Sequence, residues 1–191
     1  MAHDLQDLWK QLREDWTVHG CDWTRPGFRA VATHRVGNWL IKRKSRIVRK
    51  VLWFLYRALH RYIRNHYGIE LYHSTKIGRR VIFGHQSGIV IHPLAEIGDD
   101  CLIRQNVTIG AASDAQPRQA PKICARVTVG CGAVIIGNVT IGEGATIGPN
   151  TVVMTDVPDG ATVFAESPRI MQRPVASMKM KESTIGGKFV E

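Results

Sequence analysis

Cysteine is scarce in this chain of 191 residues. The four present, Cys21, Cys101, Cys124 and Cys131, form no C-x-x-C pair, which removes the common zinc and dithiol motifs. Long apolar runs are missing as well. The longest, Val51 to Tyr56, is far too short to cross a bilayer. The first residues, Met-Ala-His-Asp-Leu-Gln-Asp, carry acids and no apolar segment, so no secretory leader is expected. Reduced, structural cysteines and a cytoplasmic setting follow as expectations. Negative charge is also in short supply. Sixteen Asp and Glu face 26 Lys and Arg, a formal net charge of +10. Anionic partners fit that sign, and CoA, a nucleotide-linked substrate, a membrane surface and nucleic acid all qualify. No nucleic-acid motif accompanies the charge. Hydrophobic residues make up 44%, too many for a disordered chain.

What is present divides the chain in two. Residues 1–68 read as a helical N-terminal region. A first helix runs from Asp4 through Arg13, with Leu5, Leu8, Trp9 and Leu12 on one face. Residues 18–26 hold Gly and Pro and read as a connection. A second helix starts near Pro26 and a third near Ser45, the latter carrying Val51, Phe54, Leu55, Leu59, Tyr62 and Ile63. Between them lies Lys42-Arg43-Lys44-Ser45-Arg46, with Arg49-Lys50 beyond. This cluster suits a solvated junction, a peripheral contact with anionic headgroups, or a polyanionic substrate.

From residue 71 to about 158 a six-residue period takes over. Apolar residues stand at Leu71, Ile77 and Phe83, then at Ile91, Ile97, Ile103 and Ile109, then at Ile123, Val129, Ile135, Ile141, Ile147 and Val153. Glycine follows many of them, as at Gly78, Gly98, Gly130, Gly142 and Gly148. A parallel β-helix requires this pattern: one branched apolar side chain per flat face, and a turn-tolerant residue near each corner. Three such faces close one triangular coil, and about 88 residues make roughly five coils. The fold class expected is mainly β, a left-handed parallel β-helix over residues 69–174, preceded by short helices and followed by a tail at 175–191. Two insertions break the phase, one within Gly84-His85-Gln86-Ser87-Gly88 and a longer one from Ala111 to Ala120. Insertions in a solenoid loop out at a corner and tend to carry function.

The phrase Phe83-Gly84-His85-Gln86-Ser87-Gly88-Ile89-Val90, the loop ending in Pro121-Lys122-Ile123, the coils from Val129 to Val153 and the upstream His34-Arg35-Val36-Gly37-Asn38-Trp39-Leu40 together resemble the serine acetyltransferase family of hexapeptide-repeat acyltransferases. That resemblance implies acetyl-CoA as co-substrate, no metal, a homotrimer, and direct transfer to a hydroxyl. It assigns His85 as general base, because an imidazole with an unperturbed pKa of about 6.5 suits the task. Glu70 matches the carboxylate that orients the base. Asp15 and Gln119 match substrate contacts. Ala111, Cys131 and Thr146 match cofactor contacts, and Lys122 or Arg169 would meet phosphate by charge.

Departures from the family pattern shape the expected acceptor. Gly84 stands where the family has Asp, and Gln119 and Ala120 stand where it has Arg-His. An amino-acid acceptor needs charged partners for its ammonium and carboxylate. The chain is also similar to the short, exopolysaccharide-associated members of colanic-acid acetyltransferase type. The main expectation is therefore acetylation of a sugar hydroxyl on a polysaccharide precursor. Serine O-acetylation in cysteine biosynthesis is the alternative, and a non-catalytic β-helix module a third reading.

Overall fold

A computed structural model describes residues 2–43, 45–85, 87–113, 115, 119–166, 169 and 171. The tail expected at 175–191 lies outside the described residues, as do Gln86 and much of the long insertion. Three helices come first: α1 (Ala2–Val18), α2 (Pro26–Ile41) and α3 (Arg46–Tyr67). Pro26 opens α2 at its first turn, where the missing N–H costs nothing. The first helix continues a turn past Arg13, and Trp9 points outward at 65% exposure while Leu8 is buried.

Gly68 closes α3 in the left-handed conformation (φ 62°), its N–H donating to Arg64 O. A Cβ there would lie 3.0 Å from the Gly88 nitrogen. Conformation and space thus both call for glycine where the helices hand over to the solenoid.

Three parallel sheets then form the sides of a triangular prism. The first contains β1 (Ile69–Leu71), β4 (Ile89–Ile91), β7 (Thr108–Gly110), β10 (Val134–Ile136) and β13 (Val152–Val153). The second contains β2 (Lys76–Ile77), β5 (Glu96–Ile97), β8 (Lys122–Ile123) and β11 (Thr140–Ile141). The third contains β3 (Ile82–Phe83), β6 (Leu102–Ile103), β9 (Thr128–Val129), β12 (Thr146–Ile147) and β14 (Thr162–Val163). Four coils are complete, and the single bridge Ile141–Val157 forms the middle side of a fifth. Register is continuous across the long insertion, since Glu96 still pairs with Lys122.

The six-residue ladder fills the interior. Ile91, Ile103, Ile109, Ile135, Ile141 and Ile147 are fully buried. A second ladder of smaller residues lines the corners, among them Ala95, Cys101, Val107, Ala133 and Ala145. Burial pushes the Cys101 thiol up to about 11, so this cysteine is packing material and not a nucleophile.

The helices dock on the open edge of the first coil through side chains. His34 Nε2 donates to Thr75 O at 2.8 Å and Arg35 Nη1 to Ile77 O at 2.8 Å. One coil on, the equivalent acceptors Ala95 O and Ile97 O receive Lys76 N and Gly78 N. His19 Nε2 accepts from Phe83 N–H at 3.3 Å. Gly27 completes the docking: a Cβ there would fall 2.1 Å from Phe83 O, so α2 lies directly on β3.

Candidate active site

The third sheet meets the first along one edge of the prism, and His85 stands at its beginning. The edge is built from stacked turns. Asn106 N donates to Ser87 O at 3.0 Å, Gly132 N to Gln105 O at 3.0 Å, and Asn150 N to Cys131 O at 2.8 Å. Each turn needs a residue at positive φ. Among its described residues the first turn has three: His85 (66°), Ser87 (93°) and Gly88 (68°). A histidine held there is uncommon, and two extra residues in the phase are what force it. The side chain is exposed, and among the described residues it makes no hydrogen bond. Its ring is free to meet a solvent-borne group.

The support beneath this turn comes from His19, directly after α1. His19 Nδ1 lies 2.6 Å from the Asp15 carbonyl oxygen, which makes Nδ1 the protonated nitrogen and leaves Nε2 to accept from Phe83 N–H. Burial lowers the His19 pKa, consistent with that neutral tautomer.

The expected site residues fall in three places. Glu70 is on β1, in register with Val90 of β4 just past the His85 turn. Its carboxylate accepts a hydrogen bond from the Tyr72 hydroxyl, and the Tyr72 ring in turn lies against the His60 ring. It is thus employed by Tyr72, not by His85. Asp15 is fully buried and paired with Arg35 at 2.9 Å. Arg35 in turn holds Ile77 O and Gly78 O. As placed, Asp15 braces α1 and α2 against the first coil and presents no surface to a ligand. Gln119 is exposed on the long insertion, and Ala111 and Lys122 flank that insertion where the first sheet meets the second. Cys131 lies on the His85 edge, two turns further along. Thr146 is half-buried on β12, between Thr128 and Thr162.

Within one chain, then, His85 and the long insertion occupy different edges. The first sheet separates them with strands of three residues, about 10 Å of extended chain. Neither of the two main cavities includes His85. One, of about 850 Å³, lies between the helices and the second sheet and has Lys122 at its rim. The other, about 860 Å³, lies among the helices. The His85 corner is open surface that something else must wall in.

Sequence reasoning passed over His19 and Tyr72. Both carried a signal. His19 stands four residues after Asp15, in the turn that follows α1, and Tyr72 two residues after Glu70, one residue beyond β1.

Comparison with known proteins bears on the acceptor. Residues 120–154 match the family described as bacterial transferase hexapeptide (six repeats). The chain is 35% identical over 148 residues to a serine acetyltransferase of Synechococcus elongatus, covering 78% of this chain and 58% of that protein. It is 34% identical over 148 residues to a serine acetyltransferase of Helicobacter pylori, covering 78% of this chain and 82% of that protein. Soybean serine acetyltransferase complexed with serine superposes with a TM-score of 0.71 at 30% identity, over 86% of this chain and 69% of that one. Serine acetyltransferase of Brucella abortus in complex with coenzyme A gives 0.70 at 26% identity, over 85% and 66%. The chain thus spans about three fifths of the first of these two relatives and four fifths of the second.

These findings overturn the sugar acceptor and the exopolysaccharide-type assignment. The relatives and structural neighbours are serine acetyltransferases, one of them with serine bound. The sugar reading leaned on the family groups missing at Gly84, Gln119 and Ala120. It gave those single positions more weight than the shared coils, turn and loop spacing.

Proposed function

Because the chain belongs to the serine acetyltransferase family, we propose that it is an acetyl-CoA-dependent acyltransferase that acetylates the hydroxyl of L-serine. The observation that carries the chemistry is His85, exposed and unbonded on a positive-φ corner of the solenoid. His85 takes the proton from the serine Oγ as that oxygen attacks the thioester carbonyl. The tetrahedral intermediate collapses with cleavage of the C–S bond, and the imidazolium returns its proton to the departing thiolate. O-acetylserine and CoA are the products, with no acyl-enzyme.

In this proposal Glu70 steadies the imidazolium by exchanging the Tyr72 hydroxyl for the ring N–H. Coenzyme A lies along the later coils against Ala111, Cys131 and Thr146, with Lys122 toward its phosphates. Gln119 stands on the acceptor side in this proposal, and Asp15 acts from a distance, bracing α1 and α2 against the first coil through Arg35. A trimer supplies the missing wall: the threefold arrangement sets the His85 edge of one copy beside the long insertion of the next. With acetyl-CoA as co-substrate, the reading is of a cytoplasmic reaction. Among the described residues, no helix is long and apolar enough to cross a membrane.

The test is CoA release from acetyl-CoA with L-serine, wild type against His85→Ala. Serine-dependent release should fall about 10²- to 10⁴-fold in the variant, the range for loss of a general base. A wild-type enzyme that ignores millimolar serine, or a variant as fast as wild type, would sink the assignment.

A further inference from the structure

The third helix carries three stripes where a docked helix needs two. Trp53, Tyr56, His60, Ile63 and Tyr67, spaced three and four apart, face the protein, with Tyr56 and Ile63 buried. Lys50, Arg57, Arg61 and Arg64 form a second stripe, and the helix contains no acidic residue. Among the described residues, none of these four enters a salt bridge. The third stripe is apolar and faces outward: Val51, Phe54, Leu55, Leu59 and Tyr62, with Phe54 78% and Leu55 65% exposed. It runs into an apolar groove of about 860 Å³ lined by Trp9, Trp16, Trp23 and Val36 together with Leu59 and Tyr62. Monomeric proteins rarely leave so large a contiguous apolar surface uncovered.

The geometry points to an anionic phospholipid surface as the occupant of this face. A helix lying in the headgroup region buries an apolar stripe among acyl chains while flanking cations meet phosphates. Tryptophan suits the same boundary, since its ring is apolar with one polar N–H. Trp9 and Trp23 are 65% and 67% exposed beside the stripe. A second copy of the chain fits less well. A twofold contact would set each basic stripe against its own copy, with no acid on α3 to separate them. The inference does not depend on which acceptor is acetylated.

Flotation of the full chain with vesicles tests it. At low salt the protein should rise with phosphatidylglycerol-containing vesicles and stay behind with phosphatidylcholine alone. Phe54→Ser/Leu55→Ser, at two exposed positions, should weaken partitioning about tenfold. Arg57→Glu/Arg61→Glu should do the same, and raised salt should weaken the wild type. Wild-type CoA release and an unchanged far-UV spectrum show that both variants are folded. Wild-type protein that fails to float with anionic vesicles overturns the proposal. So does flotation indifferent to both double variants. A third overturning result is a serine pair that leaves vesicle binding alone but lowers the mass in solution, which would assign the face to contact between copies.

Discussion

At position 84 a glycine stands where the family places a carboxylate, and nothing in the backbone demands it. Its φ is not positive, and among the described residues an added Cβ would meet only the Leu102 methyl at 3.3 Å and Ile103 O at 3.9 Å. A modest shift of Leu102 would admit a side chain. We expect Gly84→Asp to lower the KM for L-serine several-fold, the effect of about 1 kcal/mol from an ion pair at a half-exposed site, with little change in kcat. An unchanged KM would mean that the serine ammonium is bound elsewhere. At this scale His85 was legible in the sequence, because an inserted Gly-His-x-Ser-Gly turn interrupts an otherwise regular phase. The partners of Glu70 and Asp15 were not. Tyr72 and Arg35 engage those carboxylates through contacts that only the folded chain defines, and for Asp15 the partner is twenty residues away.

Among the elements, α2 makes the stability depend on pH through His34. Its Nε2–H holds Thr75 O, while Nδ1 is buried with no partner. Burial, with help from Arg35 and His73, lowers its pKa to about 4. The unfolded chain therefore takes up a proton that the folded chain refuses. The resulting stability is present above about pH 6.5 and is lost as the pH falls toward 4, on the order of 3 kcal/mol over that window. Urea midpoints at pH 7.5 and pH 4.5 should show the loss. His34→Gln, which keeps a donor for Thr75 O, should flatten the dependence. A wild-type midpoint independent of pH would refute it. The helices were legible as elements from their period and from Pro26. Which of their apolar residues face inward was not, because α3 alternates two apolar stripes of similar composition.

For the whole molecule, the solenoid was the most legible feature. The positions read as one ladder at six-residue spacing are the residues that fill the prism. The corner ladder of Ala95, Cys101 and Ala133 escaped notice, because small residues give a weak hydropathy signal. The acceptor was misjudged for a different reason: three substituted positions, Gly84, Gln119 and Ala120, were weighed against an architecture that more than a hundred residues share. The proposed threefold assembly is checked by light scattering. A trimer is expected, and a monomer that still turns over serine would show that one chain walls its own site.

The side chains that α1 and α2 place on the first coil carry a last consequence. A β-helix is a rod with two raw ends, and each end displays the hydrogen-bonding groups by which the next coil would be added. Another solenoid meeting that end could prolong the rod, and repetition would give a fibre. Here His34, Arg35 and His19 already occupy the acceptor and donor positions of the first end, and Gly27 brings the bulk of α2 over it. The helices thus act as a stopper, keeping a self-templating architecture at finite length.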